Sequence, residues 1–204
     1  MKIVLTAGGK GTRIPEITGG IIPKSLCRLI DRPLVGYQLD EIGKVNPEAV
    51  AVVLDEDWQI QLFKESIRIG EFPKLNYLFF KQSWKHPLKN FKNPDVLDFL
   101  DGRDFIWTYG DLAYNSDLLT KIEKLSESNN TSVGCRIFSA DVKPLNVSYV
   151  NYEFDETGKI IGYNLADKPN FTLHAPFYFK RSAVDCLKKE LSVEHPRSSR
   201  LLMR

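Results

Sequence analysis

Cysteine is scarce in this chain. Cys27, Cys135 and Cys186 are its only three, scattered over 204 residues. No C-x-x-C pair exists, which argues against a zinc knuckle or a dithiol redox motif, and isolated thiols suit a reducing cytoplasm. Charge of one sign is lacking as well. The 28 basic and 26 acidic residues leave a net charge of +2, so composition gives no reason to expect nucleic acid as a partner. No apolar run approaches the ~20 residues that span a bilayer, so no membrane partner is expected. The apolar start, Met1–Ala7, is too short for a secretory leader, and the expected address is the cytoplasm. Of the three histidines, His86 and His174 stand in no metal-binding or triad spacing and read as ordinary polar residues. Repeats and low-complexity tracts are also missing, and a single domain over 1–204 is the simplest organisation.

What the chain does contain is a strand–helix alternation. Residues 2–7 (KIVLTA) are apolar, β-branched and bounded by Gly8-Gly9, the signature of a buried parallel strand. Val35, Leu39, Ile42 and Val45 recur at helical spacing after Pro33, which suits a first helical turn. Further strands are predicted over 49–54, 75–80, 105–109, 131–138 and 171–179, and helices over 58–69 and 183–191. A helix over Leu118, Leu119, Ile122 and Leu125 begins at an Asn115-Ser116-Asp117 cap and ends in a polar break at 126–130. Two strands, 147–154 and 159–165, flank Asp155-Glu156-Thr157-Gly158, a hairpin signal. The fold class expected is α/β: a doubly wound, mostly parallel, Rossmann-like sheet with a β-richer C-terminal half.

The most informative segment is Ala7-Gly8-Gly9-Lys10-Gly11-Thr12-Arg13, directly after the first strand. Glycines at three of four positions let backbone approach a bulky ligand and turn several N–H groups the same way. Lys10, Arg13 and later Lys24 add positive charge, so the segment reads as an anion-binding loop. It is neither of the two commonest phosphate loops. A dinucleotide fingerprint lacks its third glycine, because Gly9-Lys10-Gly11-Thr12-Arg13-Ile14 is followed by Pro15, although Asp31 stands at a suitable distance. A Walker loop is excluded at Pro23-Lys24-Ser25, where proline removes the needed N–H.

The run Leu5–Arg13, then Pro23-Lys24, then Arg32-Pro33-Leu34 resembles the sugar-1-phosphate nucleotidyltransferases, also called NDP-sugar pyrophosphorylases. Order and spacing agree with that family's A-G-G-x-G-T-R, P-K and K-P-L-like elements over more than 30 residues. The resemblance implies that Ala7, Gly8, Gly9, Lys10, Gly11 and Thr12 bind a nucleoside triphosphate. Arg13 and Lys24 then act in catalysis, on the departing pyrophosphate and at the α-phosphate. Gly110-Asp111, ending a strand, matches a G-D pair whose Asp binds Mg²⁺. Gln82 matches a glutamine that reads the nucleobase. Asp167-Lys168-Pro169 matches an E-K-P stretch whose first two residues bind the sugar and its phosphate. The single domain then divides into a nucleotide-binding half, about 1–130, a sugar-phosphate half, about 131–190, and a tail, about 192–204.

The implied function is nucleotidyl transfer from an NTP to a sugar-1-phosphate or similar phosphorylated small molecule, with release of pyrophosphate. The alternative is a regulatory protein that binds a nucleotide or nucleotide-sugar without catalysis. An oligomer is compatible with either. Departures from the family pattern bear on the choice. Pro87, Val150 and Pro176 stand where the family carries glycines, and residues 180–204 contain nothing like the F-[IV]-D-I-G-T segment from which the family draws a second metal carboxylate. Hexose-1-phosphates such as glucose-1-phosphate are therefore expected to be poor substrates.

Overall fold

The computed structural model describes residues 1–9, 11–12, 14–82, 91, 93–130, 133–137, 149–156, 160–166 and 172–191. Lys10, Arg13, His86, Pro87, Asp167 and Lys168 lie outside them.

The first strand, β1 (Lys2–Thr6), sits at the centre of a sheet because both its faces are apolar. Ile3 and Leu5 point to one side and Val4 to the other, all fully buried. A strand buried on both faces needs a hydrogen-bonded neighbour at each edge. β4 (Ala49–Leu54) supplies one and β6 (Phe105–Tyr109) the other, both parallel to β1. β5 (Tyr77–Lys81) extends the sheet beyond β4, again in parallel. On the far side β10 (Thr172–Phe179) runs antiparallel to β6 and to β7 (Val133–Ile137). The order is β5-β4-β1-β6-β10-β7, with five of the six strands running the same way.

Helices cover both faces. α2 (Leu34–Lys44), α3 (Asp57–Arg68) and α5 (Ser116–Asn129) bury Val35, Leu39, Ile42, Phe63, Leu119 and Ile122 against Ile3, Leu5 and the outward side of β4. α4 (Pro94–Leu100) and α6 (Ser182–Leu191) bury Val96, Leu100, Val184 and Leu187 on the opposite face, around Phe105 and Trp107. Burying one Leu- or Phe-sized side chain contributes about 1.5–3 kcal/mol, so these two layers fix the sheet.

The doubly wound, mostly parallel expectation therefore holds. Three details differ from the sequence reading. α4 has no counterpart there; it is short, and it starts because Asn93 accepts the Asp95 N–H at 2.9 Å and Pro94 occupies the first turn. α5 runs straight through the expected break at 126–130. Ser126 is fully buried one turn beyond Ile122, and the helix stops only where Asn130 turns left-handed at φ 46°. Pro33 lies before the helix and not inside it. It pairs with Arg28 in a small hairpin of β2 (Arg28–Leu29) and β3 (Arg32–Pro33), and α2 begins at Leu34. The hairpin of β8 (Tyr149–Phe154) and β9 (Ile160–Ala166) forms a separate antiparallel pair, as its turn signal predicts. A four-residue helix, α1 (Pro15–Thr18), interrupts the stretch after the glycines.

At the N-terminal ends of the central strands one carboxylate pins the second layer. Asp104, just before β6, accepts the Arg181 N–H at 2.7 Å, Lys180 Nζ at 3.1 Å and the Tyr178 hydroxyl at 3.1 Å. Burial pushes its carboxyl up, but these three donors together overrule burial and hold it below the usual carboxylate range. A depressed folded-state value stabilises the fold above the unfolded value, about 3.9. That contribution is lost as pH falls through the folded value. Asp104→Ala should cost about 1.5–3 kcal/mol near neutrality, since charge-assisted bonds are lost. Urea denaturation should show this cost shrinking below about pH 3.9. A cost equal at neutral and acid pH would refute the pinning role.

Candidate functional site

Parallel strands end together, so whatever follows β5, β4, β1 and β6 gathers along one sheet edge. Gln82 follows β5, Asp55 follows β4, Ala7-Gly8-Gly9 follow β1 and Gly110-Asp111 follow β6. β1 leads outward to β4 and β5, and the chain then returns to place β6 on the other side of β1. That reversal opens a crevice between β1 and β6, the usual ligand position in open α/β sheets.

The crevice is closed from below by Ser25. Lys24–Leu26 form a single 3₁₀ turn. The buried Ser25 hydroxyl donates to Ala7 O at 2.5 Å, which ties the Pro-Lys turn to the end of β1. Gly110 fits here because it has no side chain. A Cβ at that position would stand 2.9 Å from Ser25 Cβ and 3.1 Å from Ala7 Cβ. The tight packing brings Lys24 to the mouth of the crevice, with its Nζ 3.8 Å from Asp111 Oδ2. Both side chains are partly exposed, so this ion pair contributes at most about 1 kcal/mol, and an arriving ligand can separate it. Tyr109, immediately before, has its hydroxyl pushed up to about 12 by burial and by the Asp111 carboxylate, and it stays protonated.

The three glycines do different work. Gly9 has φ 117°, a conformation that favours glycine, and among the described residues nothing beyond its chain neighbours lies within 4 Å of where its Cβ would be. Gly11 has φ 61°, and a Cβ there would collide with Thr18 Cγ2 and stand 2.6 Å from Ile22 O. The Thr18 hydroxyl, 2.8 Å from Gly11 O and 3.0 Å from Ile14 O, holds the loop against α1. Gly8 is required by side chains. Its Cβ would stand 2.6 Å from Asp55 Oδ1 and 2.9 Å from Gln82 Nε2.

Not every loop amide is presented to the open space. Ala7 and Gly8 donate to Val53 O at 2.9 and 3.2 Å, continuing the ladder with β4, and Gly9 donates to Asp55 Oδ2 at 2.7 Å. The Gly11 and Thr12 amides have no hydrogen-bond partner among the described residues. Of the residues expected at the site, the structure brings together Ala7, Gly8, Gly9, Gly11, Thr12, Lys24, Gln82 and Asp111 along one edge. Asp55 and Ser25 join them unannounced. A carboxylate after a buried strand and a serine after Pro-Lys read as turn residues, and only the strand register reveals their neighbours. Pro176, expected to cost the sugar side a donor, lies in β10 where the register to β7 slips between His174 and Phe177, a bulge where proline is tolerated.

The opposite edge holds a cavity of about 630 Å³ lined by Asp104, Glu123, Glu127, Arg103, Lys180 and Arg181 among others. Its charges are of both signs, and it lies at the N-terminal ends of β1 and β6. It has a single glycine, Gly102, in its lining and sits where the parallel strands begin, not where they end.

No protein-family model matches the sequence. A glucose-1-phosphate thymidylyltransferase of Xanthomonas campestris pv. campestris is 25% identical to it over 197 residues, 90% of this chain and 61% of that protein. The chain is a homologue of the sugar-1-phosphate nucleotidyltransferases. This homologue spans about three fifths of the length of the curated relatives it matches. Its fold is also that of solved structures at lower identity. An inositol-1-phosphate CTP transferase from T. maritima superposes with a TM-score of 0.73 at 16% identity, covering 99% of this chain and 79% of that one. A UDP-glucose pyrophosphorylase in its apo form gives 0.70 at 15%, covering 99% and 85%.

The Gly11 geometry yields a direct check on the loop. Gly11→Ala should lower stability by about 1–2 kcal/mol for the left-handed backbone alone, and by more from the contact with Ile22 O. Urea denaturation of the variant measures this; an unchanged midpoint would mean that the turn relaxes freely.

Proposed function

We propose that this nucleotidyltransferase homologue transfers a nucleotidyl group from an NTP to a phosphorylated small molecule, in the class of sugar-1-phosphates. The observation that carries the reading is the strand-end edge: the glycines follow β1, and the Lys24–Asp111 pair stands at the end of the neighbouring β6. In this reaction a phosphate oxygen of the acceptor attacks the α-phosphorus. The bond to the bridging oxygen breaks, and pyrophosphate leaves with that oxygen and its electron pair. Little covalent help is needed, and catalysis is positioning and charge neutralisation.

The roles follow from position and motif. Gly11 and Thr12 offer their amides to the triphosphate. Lys24, released from Asp111, neutralises charge developing at the α-phosphate. Arg13 holds the departing pyrophosphate, and Asp167 and Lys168 hold the sugar and its phosphate; these three roles rest on the motifs. The residues fit Mg²⁺ brought in with the nucleotide. Asp111 is a single carboxylate, and no cluster of three His, Cys, Asp or Glu among the described residues can hold an ion unaided. Mg²⁺ is commonly held by one or two carboxylates together with substrate phosphates. When bound, it would screen the triphosphate's charge.

The test is pyrophosphate release with each NTP against a panel of sugar and polyol phosphates, with and without Mg²⁺. Turnover with one pair supports the reading. Tight NTP binding without turnover across the panel would support a non-catalytic nucleotide-binding role instead. Robust turnover of glucose-1-phosphate would contradict the expectation drawn from Pro87, Val150 and Pro176. By calorimetry, Arg13→Ala should weaken NTP binding by roughly 1.5–3 kcal/mol, the worth of a charge-assisted contact. Asp111→Asn should fold normally and abolish the Mg²⁺ dependence of binding. A variant that keeps the full metal effect would place the ligand elsewhere.

A further inference from the structure

Asp55 links the two parts of the site that a nucleotide would touch. Its Oδ2 accepts the Gly9 N–H at 2.7 Å, and its Oδ1 accepts the amide of Gln82. Each partner is anchored by its own backbone. Asp55 N–H donates to Gln59 Oε1 at 2.9 Å, within the capping box that starts α3. Gln82 N–H donates to Leu54 O at 2.8 Å, continuing the ladder beyond β5. Gly8 leaves the room that the pair needs.

The chemistry of this contact fixes an orientation. An ionised carboxylate only accepts hydrogen bonds, and a primary amide donates only through its nitrogen. Gln82 must therefore turn Nε2 to Asp55, which directs Oε1 away from it. That oxygen is shielded from water and has no hydrogen-bond partner among the described residues. An acceptor in that condition is destabilising, and a ligand that brings an N–H to it recovers the loss.

We propose that Asp55 is a positioning residue for nucleobase selection, fixing Gln82 as a hydrogen-bond acceptor toward the base. The proposal rests on the nucleotide-binding reading above and deepens it. Keto and amino bases of one ring size, uracil and cytosine or guanine and adenine, present donors and acceptors in opposite order along their pairing edges. A reader locked as an acceptor prefers one of each pair. A reader turned to present its N–H prefers the other.

Asp55→Asn supplies that reversal. The Gly9 N–H can only donate, so the new amide must keep its oxygen toward Gly9 and turn Nδ2 to Gln82. Gln82 must then offer Oε1 to Asn and direct Nε2 toward the base. Asp55→Ala removes the lock without replacing it. The measurement is the dissociation constant of each of UTP, CTP, GTP and ATP for the wild type and both variants, alongside inorganic tripolyphosphate and the melting temperature. Within the ring size that binds better, the keto-to-amino affinity ratio should invert in Asp55→Asn. It should flatten by roughly tenfold in Asp55→Ala, the effect of one mispaired hydrogen bond. Tripolyphosphate affinity should not follow that ratio. In a Gln82→Ala background neither substitution should change the ratio, which separates positioning from a general loss of structure.

A ratio that both variants leave unchanged overturns the role of Asp55 while leaving the nucleotide-binding reading intact. So does a wild type that binds NTPs with no keto–amino preference, or an Asp55 effect that persists without Gln82. A wild type that binds no NTP at all overturns both readings.

Discussion

The parallel pairing of β1 with β4 on one side and β6 on the other is the constraint from which the candidate site follows. β1 is apolar on both faces and carries only five residues, so it cannot stand at an edge without leaving backbone donors unpaired. Once it is central, Ala7 must emerge between Val53 and Gly110. The glycines then lie in the middle of the strand-end edge. The hydrogen bonds from Ala7 and Gly8 to Val53 O, and from Gly110 to Thr6 O at 2.8 Å, continue the ladder past the last strand residues. The mouth of the crevice is thus built on backbone pairing and held by the two buried layers.

The electrostatics of that edge are mixed. Asp55 and Asp111 present carboxylates beside the glycines, and Lys24 stands against Asp111. An anion arriving there meets a carboxylate already seated on the Gly9 N–H, so the bound state needs a cation beside Asp55. The weak Lys24–Asp111 pair is a reserve of charge for such an event: both groups are partly exposed and little is lost when they separate. The tight contacts lie one layer down, at Ser25, Gly110 and Thr18, where the backbone is held and the charged groups are left free to rearrange.

Much of this was legible in the sequence because periodicity and punctuation agreed. Residues 49–54 are a continuous apolar run and 105–109 a β-branched and aromatic one, and both strands appear at those bounds. Asn115 caps its helix as expected, by accepting from Leu118 N–H at 3.2 Å. α4 escaped notice because seven residues with two fully buried positions carry almost no periodic signal. Ser126 misled because a small polar residue can occupy an inner helix position once it is satisfied there. The glycine loop was legible from its composition as a tight turn after β1, and Gly9 and Gly11 do take positive φ there. The pairing of Asp55 with Gly9 and Gln82 was not, since it spans three strands that are adjacent only through the sheet order. Gly8 shows the limit of composition most clearly: its bareness serves two side chains, where the sequence suggested room for a ligand.

On the reading proposed above, the edge formed by Gly8, Gly9, Gly11, Lys24 and Asp111 receives a nucleoside triphosphate. A crystal structure of the protein with a non-hydrolysable NTP and Mg²⁺ tests it most directly. The expected result is the triphosphate over Gly9 and Gly11, Lys24 separated from Asp111, and the base toward Gln82. A nucleotide bound instead at the opposite edge, among Asp104, Lys180 and Arg181, with the glycine turn unchanged, would contradict it.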